Sequence, residues 1–430
     1  MEKLVITGNQ PLGGEISVHG SKNAVLPILA ATLLVKGETV LHNVPDLSDV
    51  NASIEILRHL GASVKREKST LVIDTSNIVN NDIPEEMMRE MRSSIIFLGS
   101  LVTRCKEALI CPPGGCDIGV RPIDLHLNSL RKLGAQITEN GSCIHCRAQK
   151  LHGSKIFLTF PSVGATENII ISSVLAKGKT TVINAAREPE ISDLASFLNS
   201  CGAKIFGAGE SMIEIEGVEE LYPNSHTVIP DRIVAATYMC AGALQAKELV
   251  VKNVRAGHLV PIIPVFTEMG CRIYLSGNDL KLVSPKRLKR VKNIKTMPYP
   301  GFPTDCQSVL MAVLSKAKGT SVFNESVFDG RYKHISELRR FGADITVNDR
   351  IAVVNGVREL YSANVYSTDL RGGASLVLAA LAANGVSTVG NLSHIDRGYE
   401  NIEKNLSEIG AVIELSLIHI SEPTRHLRIS

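Results

Sequence analysis

One short pattern, an apolar residue, then Gly, then Ala or Cys, recurs six times along the 430 residues and limits what the chain can fold into. Its glycines are Gly61, Gly134, Gly202, Gly270, Gly342 and Gly410, spaced 73, 68, 68, 72 and 68 residues apart. Four residues before each stands Leu57, Leu130, Leu198, Phe266, Leu338 or Leu406. Three residues after it stands Val64, Ile137, Ile205, Ile273, Ile345 or Ile413. An apolar residue one turn back, a glycine where positive φ costs little, and an apolar residue beyond read as a helix running into a strand. The chain is six units of about 70 residues.

Two further landmarks fill each unit. The segments Thr39–Asn43, Thr180–Asn184, Leu249–Asn253, Thr320–Asn324 and Ser387–Asn391 read as strands, most of them entered through a glycine turn. In the second unit Pro113 takes the place of the asparagine, and the loop Pro112–Cys116 is inserted. Charge-poor runs at Asn23–Leu34, Ser93–Val102, Ala165–Leu175, Ile233–Leu244, Cys306–Leu314 and Ala374–Ala383 read as helices buried on all sides. Each unit is then one buried helix, one amphipathic helix and about four strands, an α/β class. Two trios predict two similar domains, 21–229 and 1–20 with 230–416, the first twenty residues forming a strand pair. Leu417–Ser430 continues no unit and resembles translated adapter read-through, so it is expected to be a non-native tail.

Composition narrows the function. Lys+Arg 46 against Asp+Glu 43, 4% aromatics and no Trp leave neither a polybasic field nor stacking platforms, which argues against a nucleic-acid partner. No apolar run reaches the roughly 18 residues of a membrane span, and the start lacks a signal-peptide core. Nine scattered cysteines predict free thiols in a reducing cytoplasm. Cys143–Ile144–His145–Cys146 lacks a second CxxC pair and reads as strand rather than half a zinc site.

The mouths of the buried helices carry the chemistry. They read Ser21–Lys22–Asn23, Arg92–Ser93, Ser162–Val163–Gly164, Asp231–Arg232, Thr304–Asp305 and Asp369–Arg371. A solvated cap would explain any one of these charges; their recurrence at equivalent ends points instead to an anion site. The other loops add Arg121, Arg187, Arg255, Arg331 and Arg397. A cleft lined by Lys22, Arg92, Arg121, Arg331, Arg371 and Arg397 would take a small, highly anionic substrate, and like charges would hold it open when empty. In Pro112–Gly119, Cys116 lies in a Gly-Gly loop five residues before Arg121, a setting for a reactive thiol; the other eight cysteines read as inert.

These strings, with Arg121–Pro122–Ile123–Asp124–Leu125, Gly301–Asp305, Asp329–Gly330–Arg331 and Arg397–Glu400, resemble the UDP-N-acetylglucosamine 1-carboxyvinyltransferase family of enolpyruvyl transferases, in order from residue 1 to about 416. The resemblance implies two inside-out α/β barrels of the EPSP synthase-like fold with the active site between them. It implies transfer of enolpyruvyl from phosphoenolpyruvate to the 3′-hydroxyl of UDP-N-acetylglucosamine, the first committed step of peptidoglycan synthesis, with no metal, organic cofactor or obligate protein partner. It places Lys22, Arg121 and Arg397 on the phosphate of phosphoenolpyruvate and Arg331 and Arg371 near its carboxylate. Asn23, Arg92, Pro122, Ile123, Asp124, Leu125, Ser162, Val163, Gly164 and Val327 fall on the substrate-binding positions, mostly along the nucleotide sugar. Asp305 matches the base, which also contacts substrate, and Cys116 the general acid and target of fosfomycin. Asp369 matches an assistant to proton transfer. Phe160 departs from the family, some members of which carry Lys there. The sister enzyme acting on shikimate 3-phosphate shares the fold but not the Gly-Gly-Cys loop; a sugar-nucleotide sensor would need neither acid nor base.

Overall fold

The computed structural model describes residues 2–91, 93–111, 123–141 and 143–417. Each charge-poor run forms a helix close to its expected limits: α1 Lys22–Thr32, α2 Phe97–Cys105, α3 Val163–Ser173, α4 Arg232–Gln245, α5 Gln307–Leu314 and α6 Leu370–Ala382. All eight residues of α5 are buried, since a helix apolar all round is stable only inside. A fully buried Val, Leu or Ile contributes roughly 1.5–3 kcal/mol.

Among the described residues six four-stranded sheets surround these helices with one topology. In the third unit Lys155–Phe157 lies parallel to Lys179–Ile183, which pairs antiparallel with Met212–Glu216, and that strand closes a hairpin with Lys204–Phe206. Period-two burial turns one face of each sheet to the helices and the other outward. All six repeat glycines have positive φ, from 87° to 108°.

The strand-ending asparagines have a second purpose. Asn43, Asn184, Asn253 and Asn391 sit at φ 56–60°, where Asn is tolerated. Their amides donate to the carbonyls of Val228, Leu158, Val18 and Ser367, each just beyond the parallel neighbour strand.

The buried apolar residues fall into two cores. One spans residues 24–229, and the other joins residues 4–18 to 233–411. Three expectations are corrected here. The first twenty residues do not form a strand pair: Glu2–Thr7 inserts between Val386–Gly390 and Val412–Leu417, while Leu12–Ser17 lies parallel to Ala246–Lys252. Each completes a sheet that lacks a strand of its own. Leu417 is not tail, because it is paired with Glu2 across that sheet; residues 418–430 lie outside the described residues. Nor are all cysteines free. Ile110 pairs with Ile144 on antiparallel strands, which sets Cys111 opposite Cys143, and the two form a disulfide.

The chain crosses between the cores twice, at 19–21 and 229–231, and the crossings are bonded to each other. Ser21 N–H donates to Ile229 O (2.7 Å) and Asp231 N–H to His19 O (3.0 Å). A Cβ on Gly20 would lie 1.7 Å from Asn43 O, so only glycine allows this approach. The crossings end on Lys22 and Arg232, which brings charged helix mouths of both cores to one place. Among the described residues no helix is long and apolar enough to cross a membrane.

Candidate active site

Lys22 opens α1 and is buried, with Nζ 2.5 Å from Asp49 Oδ2. Arg397, from the second core, reaches the same carboxylate: Nε donates to Oδ1 at 2.8 Å and Nη2 to Oδ2 at 3.3 Å. Burial pushes the Lys22 ammonium below its ordinary value; Asp49 opposes this, while Arg397 and Arg371 add to it. Burial would raise the Asp49 carboxyl, but Lys22 and Arg397 outweigh it and hold it below the usual carboxylate range.

A second carboxylate repeats the arrangement. Arg331 Nη2 donates to Asp305 Oδ1 (2.7 Å) and to Thr304 O (3.2 Å), and Arg371 Nη2 reaches Asp305 Oδ2 at 3.5 Å. Both arginines are buried, and Arg371 lies over the Tyr399 ring, 5.3 Å from its centroid. Arg331 Nε and Arg371 Nε and Nη1 have no acceptor among the described residues. Buried guanidinium N–H groups left this way are costly unless an anion takes them.

The expected cleft of mutually repelling cations is thus corrected. Asp49 and Asp305 stand between the cations, and Asp49 joins Lys22 of the first core to Arg397 of the second.

Helix caps fix the rest of this wall. Asp231 Oδ1 accepts from Ile233 and Val234 N–H, and its Oδ2 accepts from Lys22 N–H (3.2 Å), tying α4 to the start of α1. Asp369 Oδ1 accepts from Arg371 and Gly372 N–H, and Oδ2 from the Thr368 hydroxyl. His334 donates from Nδ1 to Arg331 O (3.1 Å); burial first, then Arg331, pushes it down to about 4 against the pull of Asp369, so it is neutral. Glu325 accepts from the Thr304 hydroxyl and from Val327 and Phe328 N–H, which sets Val327 beside the approach to Asp305.

A separate set gathers at the mouth of α3. Ser162 caps that helix by accepting from Ala165 N–H (3.3 Å). Ile123, Asp124 and Leu125 lead into Asp124–Lys132, and His126 in its first turn lies against Gly164, where a Cβ would come within 3.0 Å of the ring. Asn168 Nδ2 donates to His126 Nδ1 (2.7 Å), and burial pushes the imidazole down to about 4. Phe160 is exposed beside this mouth. Ile123–Leu125 and Ser162–Gly164 converge through His126 and Gly164.

The two cores meet again below α3. Arg232 donates from Nε and Nη2 to the two oxygens of Glu190 (3.0 and 3.3 Å), and Glu188 accepts from Tyr299 N–H. Burial, with Glu190 and Glu188 adding to it, pushes the Glu167 carboxyl up to about 8.

Of the expected site residues, Lys22, Asp305, Arg331, Arg371 and Arg397 come together. Asn23 is half-buried beside Lys22, and Arg187 and Arg255 stay near the surface, apart from this cluster. Arg92, Cys116, Arg121 and Pro122 lie outside the described residues. Sequence reasoning missed Asp49, Glu325, His126 and His334. Asp49 looks like an ordinary first-turn acid of Ser48–Leu60, and nothing local marks Arg397, 348 residues away, as its partner.

The family described as EPSP synthase (3-phosphoshikimate 1-carboxyvinyltransferase) matches residues 6–406. The chain belongs to this family. Among its relatives, UDP-N-acetylglucosamine 1-carboxyvinyltransferase 2 of Caldanaerobacter subterraneus subsp. tengcongensis is 50% identical over 413 residues, covering 96% of this chain and 99% of that one. UDP-N-acetylglucosamine 1-carboxyvinyltransferase 1 of Carboxydothermus hydrogenoformans is 48% identical over 414 residues, 96% and 98% of the two chains. The enolpyruvyl transferase NikO from Streptomyces tendae superposes with a TM-score of 0.88 at 25% identity, covering 96% and 99%. EPSP synthase from Acinetobacter baumannii, at 18% identity and a TM-score of 0.75 over 97% and 100%, shares the EPSP synthase fold.

Proposed function

We propose that this chain is a transferase that moves the enolpyruvyl group of phosphoenolpyruvate to the 3′-hydroxyl of UDP-N-acetylglucosamine, releasing phosphate, as the first committed step of peptidoglycan synthesis in the cytoplasm. Relatives of that name at about half identity along nearly the whole chain support the substrate pair. The observation that carries the chemistry is the cluster of buried Lys22, Arg331 and Arg371 with half-buried Arg397, in which guanidinium N–H groups of Arg331 and Arg371 lack acceptors among the described residues. Such donors suit a substrate bearing both phosphate and carboxylate.

In this reading Lys22, Arg121 and Arg397 hold the phosphate, and Arg331 and Arg371 the carboxylate. Asp305 takes the proton of the sugar hydroxyl as it adds to C2 of phosphoenolpyruvate, and Cys116 protonates C3. The resulting tetrahedral ketal loses C3 proton and phosphate to restore the enol, with Asp369 assisting. The mouth of α3, with Ser162, Val163, Gly164 and Ile123–Leu125, carries the nucleotide sugar alongside Arg92 and Val327. The two domains are residues 21–229 and 1–20 with 230–417, one around each core.

Phosphate release on mixing the two substrates tests the reaction; shikimate 3-phosphate in place of the sugar nucleotide should give none. Cys116→Asp should keep turnover and lose fosfomycin sensitivity, whereas Cys116→Ser, a far weaker acid, should lose most turnover. Full sensitivity in Cys116→Asp would remove this cysteine from the reading.

A further inference from the structure

The Cys111–Cys143 disulfide lies on the outer face of its sheet. Along Cys143–Arg147 the core takes Ile144 and Cys146, while Cys143 and His145 are half-buried on the other face. Leu109 stands opposite His145, and Cys111 opposite Cys143, with Cα atoms 4.0 Å apart. Beside the disulfide opens a cavity of about 500 Å³ lined by Asn81, Asp82, Glu107, Leu109, Cys143 and His145. His145 and Arg147 both contact Glu107, at 2.6 and 2.7 Å, so the cavity wall is a fixed polar array. Volume and lining suit a small polar molecule.

The other described cysteines differ. Cys146, Cys201, Cys240, Cys271 and Cys306 are buried, and burial raises all their thiols; Cys105, half-buried, is also raised. Cys111 is also the residue before the stretch 112–122, which carries Cys116 and Arg121. A bond at Cys111 therefore ties the residue that precedes that stretch to the neighbouring strand.

We propose that Cys143 is a thiol-exchange site for a small thiol of glutathione size, and that opening its bond to Cys111 lowers the performance of the enzyme. A thiolate of the small thiol enters the cavity and attacks Cys143 Sγ; the bond to Cys111 breaks, and Cys111 leaves as a thiolate that takes a proton. A second small thiol attacks the mixed disulfide, freeing Cys143 as a thiol and leaving the oxidised small-thiol dimer. Two thiols supply the two electrons, and the oxidised dimer reverses both steps. Loss of the tie releases Cys111, the residue next in sequence to the stretch bearing Cys116, from the neighbouring strand.

The full chain is equilibrated in buffers of varied reduced and oxidised glutathione, trapped with an alkylating agent, and read peptide by peptide in a mass spectrometer. Cys111 and Cys143 should pass together from protected to alkylated, with glutathione found on Cys143 at intermediate ratios, while the five buried cysteines stay unmodified. Alkylation of both at every ratio, or of neither, would overturn the exchange site, as would glutathione found on Cys111 alone. The activity arm rests on the proposed transferase reading: kcat/KM for phosphoenolpyruvate should fall several-fold on reduction. The Cys111→Ala/Cys143→Ala enzyme should match the reduced form at every ratio. Equal kcat/KM for oxidised wild type and the double variant would overturn the coupling. Absence of phosphate release in every form would instead reject the transferase reading, and the trapping result would then decide the exchange site by itself.

Discussion

At the mouths of α1 and α3, in the first core, stand Ser21 and Ser162; α4 and α6, in the second, open on Asp231 and Asp369. The units share one repeat, so the difference is not demanded by the fold. A carboxylate at a helix N-terminus occupies the position an anionic ligand would take and satisfies the dipole itself. A serine cap adds no charge and leaves the terminus of α3 open to an anion, whereas at α1 the Asp231 carboxylate accepts from Lys22 N–H. In the proposed reading, anion recognition in the second core therefore passes from the helix ends to the side chains Arg331, Arg371 and Arg397. In the first core the mouth of α3 keeps its own affinity for negative charge, consistent with the proposed place of a diphosphate.

The largest test of this contrast is Asp305→Ala. If Asp305 of the second core is the base, phosphate release should fall by roughly 10²–10⁴, while calorimetry shows the nucleotide sugar still binding at the mouth of α3. Loss of both together would collapse the division of labour.

Next in size is Asp49→Ala, which leaves buried Lys22 and half-buried Arg397 without their shared carboxylate. Breaking a buried ion pair costs roughly 3–5 kcal/mol, readable by chemical denaturation, and KM for phosphoenolpyruvate should rise. Without Asp49 the Lys22 ammonium falls further, so kcat/KM should also decline on the alkaline side at a lower pH than in wild type. A variant as stable as wild type would mean that the cores do not depend on this bridge.

Glu167→Gln probes the seam below α3. Its carboxyl is raised from 4.5 to about 8 in the folded chain, so the folded state holds a proton that the unfolded state has lost in that interval. Its contribution is favourable at low pH and is lost as pH rises through this window. The variant should show a flatter stability profile between those limits and exceed wild type above pH 8 in thermal melts. Parallel profiles would show that Glu167 is ionised at neutral pH.

Smallest is Ser162→Ala, which removes one cap and should cost about 1 kcal/mol. A weaker grip on the sugar nucleotide with KM for phosphoenolpyruvate unchanged would sharpen the contrast between the two mouths.

How much of this could be read from the chain depended on range. The repeat glycines, the buried helices and the strands that follow them are local patterns, and each appeared near its expected place. Lys22, Arg331, Arg371 and Arg397 were legible because repeat symmetry put them at equivalent ends. Asp49 was not, since its meaning lies in a partner 348 residues away. The Cys111–Cys143 bond escaped because strand register, rather than spacing, brings together residues 32 apart. The strand pair expected at the start failed for a related reason: period-two alternation identifies a strand but does not name its neighbours.

The strand Glu2–Thr7 also sets a timetable. Its neighbours on both sides, Val386–Gly390 and Val412–Leu417, come from the far end of the chain. During synthesis Glu2–Thr7 must wait, unpaired in that sheet, until Val386–Gly390 and Val412–Leu417 have emerged. The stretch behind the first core, 24–229, contains every residue of that core and can condense long before. One core is thus complete while the other still lacks most of its helices, and the second can close only around a finished neighbour. Contacts of such sequence separation are slow to form, so Glu2–Thr7 is among the last strands to find its place.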